Sequence, residues 1–166
     1  MPELKPITRE GIPTALQKAH RYRLLNDSQA AESICEDVLA IDPGNVEAQI
    51  TFVLALTDQF AESMSRGLAR AGEAAARIAD PYRNAYYNGI VCERWAKTHL
   101  RRGQSHSNHI ASEWFDKAMT WYAKAEALRP PGNDEAILRW NTCVRLLARH
   151  PEVRPADAES YEPSLE

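Results

Sequence analysis

Three near-identical punctuation marks divide this chain: Ala40-Ile41-Asp42-Pro43-Gly44-Asn45, Ala79-Asp80-Pro81-Tyr82-Arg83-Asn84 and Leu128-Arg129-Pro130-Pro131-Gly132-Asn133. Each follows an alanine-rich stretch of helical period and leads into another. Proline cannot continue a helix, because it lacks an N–H and its ring meets the preceding turn. Asparagine caps the next helix by accepting a bond from an orphan N–H. A mark used three times predicts a repeated helix pair, and a repeat of that kind decides the fold before other features do.

The apolar spacing predicts seven helices and no strand in the 166 residues. The first runs from Ile12-Pro13 to about Leu25, and Asn26-Asp27-Ser28 is a turn with an N-cap. The second carries the stripe Ala30, Ala31, Ile34, Cys35, Val38, Leu39. The third begins at Asn45 and is apolar nearly all round, which predicts a buried helix. The fourth, about Glu62 to Ala79, is rich in alanine and glycine. The fifth spans about Tyr82 to Arg102, and a polar loop follows from Gly103 to Asn108. The sixth spans about Ile110 to Leu128 and the seventh about Asp134 to Arg149. The expected organisation is a lead-in over 1–11, one helical domain over 12–150, and a disordered tail over 151–166, acidic and proline-containing.

The offsets inside the helices repeat as well. Ala118, Tyr122, Ala125 and Pro130 stand at i, i+4, i+7 and i+12, and Ala31, Cys35, Val38 and Pro43 hold the same places. Ala69, Glu73, Ala76 and Pro81 follow more weakly, and Ala19 and Tyr22 supply a small residue and an aromatic upstream. This pattern resembles the tetratricopeptide repeat, whose unit is about 34 residues. The resemblance covers roughly Ile12 to Leu147. It departs in length, since Pro43 to Pro81 is 38 residues and Pro81 to Pro130 is 49, and Ala15 and Lys18 stand where the family has Trp and Leu. The resemblance implies an all-α, antiparallel helix-pair solenoid of about three units with a capping seventh helix. In such stacks the last helix covers an open apolar face.

The family's first helices line a concave groove. Carried onto this chain, that places Leu16, His20, Arg23 and Leu24, then Ile50, Leu54, Thr57 and Asp58, then Asn88, Cys92 and Trp95, then Asn141 and Arg145 on one face. The partner-binding set expected from it is His20, Arg23, Leu54, Asp58, Asn88, Trp95, Asn141 and Arg145. Family members that clamp a terminal carboxylate use Lys and Asn where this chain has Leu16 and His20, so that activity is not carried over.

Other chemistry is thinly represented. His106, His109 and Glu113 form the one metal-like cluster, in a polar stretch where a solvated loop is the simpler account. Lys97, His99, Arg101, Arg102 and His106 form a basic patch, which the helix dipole explains without a ligand. On the sixth helix, the ridge of Trp114 and Trp121 and the ridge of Phe115 and Tyr122 cannot face one side together. There is no phosphate loop and no nucleophile elbow. The three cysteines, Cys35, Cys92 and Cys143, sit among apolar neighbours and read as reduced core thiols.

A net charge of −3 gives no general attraction to nucleic acid. No apolar run reaches the ~20 residues that span a bilayer, and Met1-Pro2-Glu3-Leu4-Lys5-Pro6 lacks a signal-peptide core, so a cytoplasmic protein is expected. The expected function is a non-enzymatic, cofactor-free adaptor that holds a partner peptide or helix in its groove. The alternatives are a self-assembling homo-oligomer, a secretion-type chaperone and, with less support, a metal-dependent enzyme.

Overall fold

Each of the marks lies at a helix boundary. The computed structural model describes residues 2–156. Its elements are a 3-10 turn η1 (Arg9–Gly11) and the helices α1 (Ile12–Leu24), α2 (Ser28–Ile41), α3 (Val46–Asp58), α4 (Phe60–Ala76), α5 (Pro81–Leu100), α6 (Ser105–Leu128) and α7 (Glu135–Arg149). The described chain is thus all-α, with no strand. It holds eight helical segments where seven were expected; the addition is η1, capped by the Thr8 hydroxyl.

The capping chemistry accounts for most of the boundaries. Asp27 Oδ1 accepts from the Ala30 N–H at 3.2 Å and Asn45 Oδ1 from the Ala48 N–H at 2.9 Å, so α2 and α3 begin where a short polar side chain satisfies an orphan donor. Asn133 Oδ1 accepts from the Glu135 N–H at 3.0 Å, after Gly132 has taken a φ of 80° that suits glycine. The middle mark works differently. Pro81 is itself the first residue of α5, where its missing N–H costs nothing, and Asn84 lies inside the helix. α6 starts five residues before its expected position. Asn108 N donates to Gln104 O at 2.9 Å, and Ser107 and Asn108 are buried within the first turns. Polar residues there hid a helix whose contacts are made by its small side chains.

The chain divides into two compact units, Met1–Asp80 and Pro81–Glu166. In unit 1 α1 packs on α2, α2 on α3 and α3 on α4, and α1 also packs on α3. Ala74 and Arg77 near the end of α4 lie beside Gln49 and Phe52 near the start of α3, so these two helices run antiparallel. The core holds two clusters. Ile12, Leu16, Val38 and Ala48 form one, with Ile7 of the lead-in packed against it. Ala19, Ala31, Cys35 and Ala55 form the other. On α4 the expected repeat register fails: Ala69, Glu73 and Ala76 are exposed. The buried stripe is Ala71, Ala74, Ala75 and Ile78. The offsets i, i+4 and i+7 therefore fall on Ala71, Ala75 and Ile78, two residues later than expected.

In unit 2 α5 and α6 pack along most of their lengths, and α7 packs on α6. Gly89 gives the α5–α6 approach its closeness: a Cβ there would lie 2.5 Å from Tyr122 Cε1. Phe115 and Tyr122 are fully buried. The neighbouring ridge is half-buried, with Lys117 Nζ 4.1 Å from the Trp114 ring centre and Lys124 Nζ 4.9 Å from that of Trp121. Glu93 has no exposed surface. Its carboxylate accepts from Lys97 one turn along α5, from Tyr122 Oη on α6 at 2.5 Å, and from Arg139 Nη1 on α7 at 3.4 Å. Burial alone would lower the Arg139 pKa, but a hydrogen bond with Tyr86 and the charge of Glu93 outweigh it and hold it above its ordinary value. Tyr82 Oη, at the start of α5, donates to Asn133 Oδ1 at 3.1 Å and Glu135 Oε2 at 3.2 Å, tying the starts of α5 and α7.

The tail expected to be disordered from residue 151 is ordered at its beginning. Val153 is buried, and the Arg154 carbonyl lies 3.0 Å from His109 Nδ1. Residues 157–166 lie outside the described residues.

Removing one partner of a buried charged pair strands the other. Glu93→Ala is therefore expected to lower stability by about 3–5 kcal/mol, read as a lower midpoint in urea unfolding. The glycines give a paired test. Gly89→Ala should destabilise by about 1–3 kcal/mol, through collision with Tyr122. Gly72→Ala, with nothing within 4 Å of the added methyl, should stabilise by about 0.5–1 kcal/mol.

Candidate functional site

The residues expected to bind a partner divide between the two units. In unit 1, α1 carries His20 and Arg23 and α3 carries Leu54 and Asp58. Because α1 and α3 pack together, polar side chains from the two helices meet. Arg23 Nε donates to Asp58 Oδ2 at 2.8 Å, and His20 Nε2 lies 2.9 Å from Glu47 Oε1. The first pair is the better shielded, with side chains 18% and 24% exposed, against 44% and 61% for the second, so salt screens it less. Leu54 is half-buried beside them. Leu24 and Leu25, at the end of α1, are 84% and 68% exposed. Leu16 and Thr57, which the groove mapping also placed on this face, are buried packing residues.

In unit 2 the expected residues are less available. Asn88 is half-buried on α5, and its Nδ2 donates to Asn84 O at 2.9 Å and Asn84 Oδ1 at 3.2 Å. Its amide hydrogens thus serve its own helix. Trp95 is packed inside, 6% exposed, with its ring edge-on to His99 at 4.8 Å and to Trp114 at 6.4 Å between centres. Asn141 and Arg145 lie one turn apart on α7, the first half-buried and the second exposed.

The basic patch at the end of α5 is smaller than its composition implies. Lys97 turns inward to Glu93 and His99 is buried, which leaves Arg101, Arg102 and His106 on the exposed corner. Of the metal-like cluster, His106 and Glu113 are exposed, and His109 contacts the Arg154 carbonyl. Among the described residues no group of three or more His, Cys, Asp or Glu side chains is placed to hold a metal ion. Burial pushes the thiols of Cys35 and Cys143 up to about 12 and that of Cys92 to about 11. All are free and buried. They stay protonated at neutral pH, and the thiol is the unreactive form. No described helix is long and apolar enough to cross a membrane.

No family model, curated protein or solved structure matches this chain. Its site therefore has to be argued from its own residues.

Two groups emerge that the sequence reading passed over. Glu93 is the first; its signal was an acidic residue between Ile90-Val91-Cys92 and Trp95-Ala96, four residues before a lysine. The second is the environment of His99. Its ring is 6% exposed and neither nitrogen has a hydrogen-bond partner among the described residues. Burial lowers its pKa, and the charges of Arg102 and His106 lower it further.

That arrangement has a signed pH consequence. In the unfolded chain His99 titrates near its ordinary value of about 6.5, and in the fold it titrates lower. Between those values the unfolded state holds the proton and the folded state does not. The stability this group contributes is complete above pH ~6.5 and is lost as pH falls from there toward the folded value. Wild-type protein is expected to lose more stability between pH 7 and pH 5.5 than His99→Leu does, measured by urea unfolding at each pH.

Proposed function

We propose that this chain is a non-enzymatic binding module, an adaptor that holds a segment of a partner protein against helical faces as tetratricopeptide-repeat proteins do. The observation that supports this most is the α1–α3 face of unit 1. The Arg23–Asp58 and His20–Glu47 pairs bridge α1 and α3 there, and highly exposed leucines follow Arg23 directly. Apolar anchors beside fixed, paired charges are the composition with which helical grooves recognise an amphipathic segment. The apolar side chains supply affinity, and the charges set orientation and partner choice. Leu54 belongs to the same face, and Asn141 and Arg145 offer a second polar set on α7 of unit 2. A cytoplasmic setting is part of the proposal.

A second reading, self-assembly, is favoured by α7, where Leu138 and Val144 are 62% and 44% exposed. Sedimentation over a concentration series tests it, since self-assembly predicts a mass that rises with concentration above that of one chain.

The adaptor reading is tested by affinity capture from native cell extract, with identification of what is retained. His20→Ala with Leu24→Asp is expected to reduce the specific partner at least about tenfold, a loss on the order of 1.4 kcal/mol. Glu73→Lys, on the exposed side of α4, should retain it, and circular dichroism should be unchanged in both. Full capture by the α1 variant would remove the reading.

A further inference from the structure

Unit 1 contains a concavity that the α1–α3 face does not use. It lies where the end of α2, the first half of α3 and the end of α4 converge. Leu39, Pro43, Gln49, Phe52, Ala74 and Arg77 line it, and its volume is about 300 Å³. That is the small end of the range of about 300–1,000 Å³ that ligand pockets occupy, so it admits one large side chain rather than an extended molecule. The space exists for a local reason. α4 presents Ala74, not a longer side chain, toward the half-buried ring of Phe52, and the Pro43-Gly44 turn carries the chain away at that point.

Four of the lining residues, Leu39, Pro43, Phe52 and Ala74, are apolar. The polar ones are specific. Gln49 Nε2 donates to the Pro43 carbonyl at 2.9 Å, which fixes its amide and leaves Oε1 as an acceptor with no partner among the described residues. Arg77 is exposed at the C-cap of α4 and forms no ion pair among the described residues. A helix C-terminus accounts for a cation at this position; it does not account for an apolar recess beside it. Charge complementarity therefore selects an occupant that brings a carboxylate together with an apolar group, and Gln49 Oε1 is placed to accept from a peptide N–H.

We propose that this recess is a docking site for a partner peptide that inserts one large apolar side chain, with an adjacent Asp or Glu carboxylate paired to Arg77. The site is separate from the α1–α3 face, and either can fail without the other.

The test is a nitrogen-15 NMR titration of the full chain with three blocked dipeptides, acetyl-Trp-Asp-amide, its neutral isostere acetyl-Trp-Asn-amide, and acetyl-Ala-Asp-amide. The first is expected to move the amide signals of Gln49, Phe52, Ala74 and Arg77. It should bind about fivefold more tightly than the isostere, the size of a partly exposed ion pair, and acetyl-Ala-Asp-amide should leave these signals in place. Arg77→Gln, an exposed change that leaves the core intact, should erase the preference for Asp over Asn. Ala74→Leu, which fills the recess, should abolish binding of both tryptophan peptides. His20→Ala with Leu24→Asp should change none of this. The proposal is overturned by perturbations that fall elsewhere or fail to appear at millimolar peptide, by equal binding of the Asp and Asn peptides, or by a preference that survives Arg77→Gln. Concentration-dependent movement of the same signals without peptide would mean that a second copy of the chain fills the recess, and would also overturn it.

Discussion

Close approach of helices at alanine and glycine is the constraint on which both units rest. Ala19, Ala31 and Ala55 are fully buried together with Cys35 in unit 1, and Ala111, Ala118 and Ala125 line the buried face of α6 in unit 2. A methyl group buries little area, so these residues contribute modestly by themselves. They act by letting backbones come near enough for Phe60, Phe115 and Tyr122 to be enclosed completely. A close-packed interior of this kind resists enlargement as well as loss, and the Gly89–Tyr122 contact expresses this between α5 and α6.

The second constraint is electrostatic and belongs to unit 2. Glu93 takes hydrogen bonds from three helices, its own included. Burying an ion costs several kcal/mol or more, and only good geometry returns it, so the network is weak support for stability. It does make alternatives unfavourable. If α6 or α7 slid by one turn, a rise of about 5.4 Å, a carboxylate, a guanidinium and a phenol would be stranded without partners. Alanine-lined interfaces are smooth and could accept such shifts, and the charged cluster is what distinguishes one register from the next.

Much of the fold was legible because it depends on local chemistry. Asn45 caps the helix it was expected to cap, the cap of α2 falls on Asp27 within the expected Asn26-Asp27-Ser28 cluster, and Ala31, Cys35 and Val38 are buried as their spacing requires. The failures share a physical cause. In the second half of α4 alanines stand on more than one face, at 69, 71, 74, 75 and 76, so composition could not say which stripe faces inward, and the register was misjudged by two residues. Ser105 to Asn108 looked like a loop because polar residues were taken as solvated, yet Ser107 and Asn108 are buried. Val153 is buried within a stretch that composition marks as disordered. Of the site, the contacts of His20 with Glu47 and of Arg23 with Asp58 depend on how α1 lies on α3, which spacing within one helix does not encode. Trp95 went inside because an aromatic at helical spacing fills a core as readily as it lines a groove. The recess beside Arg77 depends on three helix ends converging, which no local pattern encodes.

Pro81 is both the second of the three proline-marked helix breaks and the first residue of the second unit. Within each unit the packed helices are neighbours in sequence or one removed, so native contacts span short stretches of chain and their closure costs little entropy. The helix–helix packing within unit 1 involves residues up to 80 alone. In a chain organised in this way the helices of unit 1 find their packing partners among residues that are synthesised first.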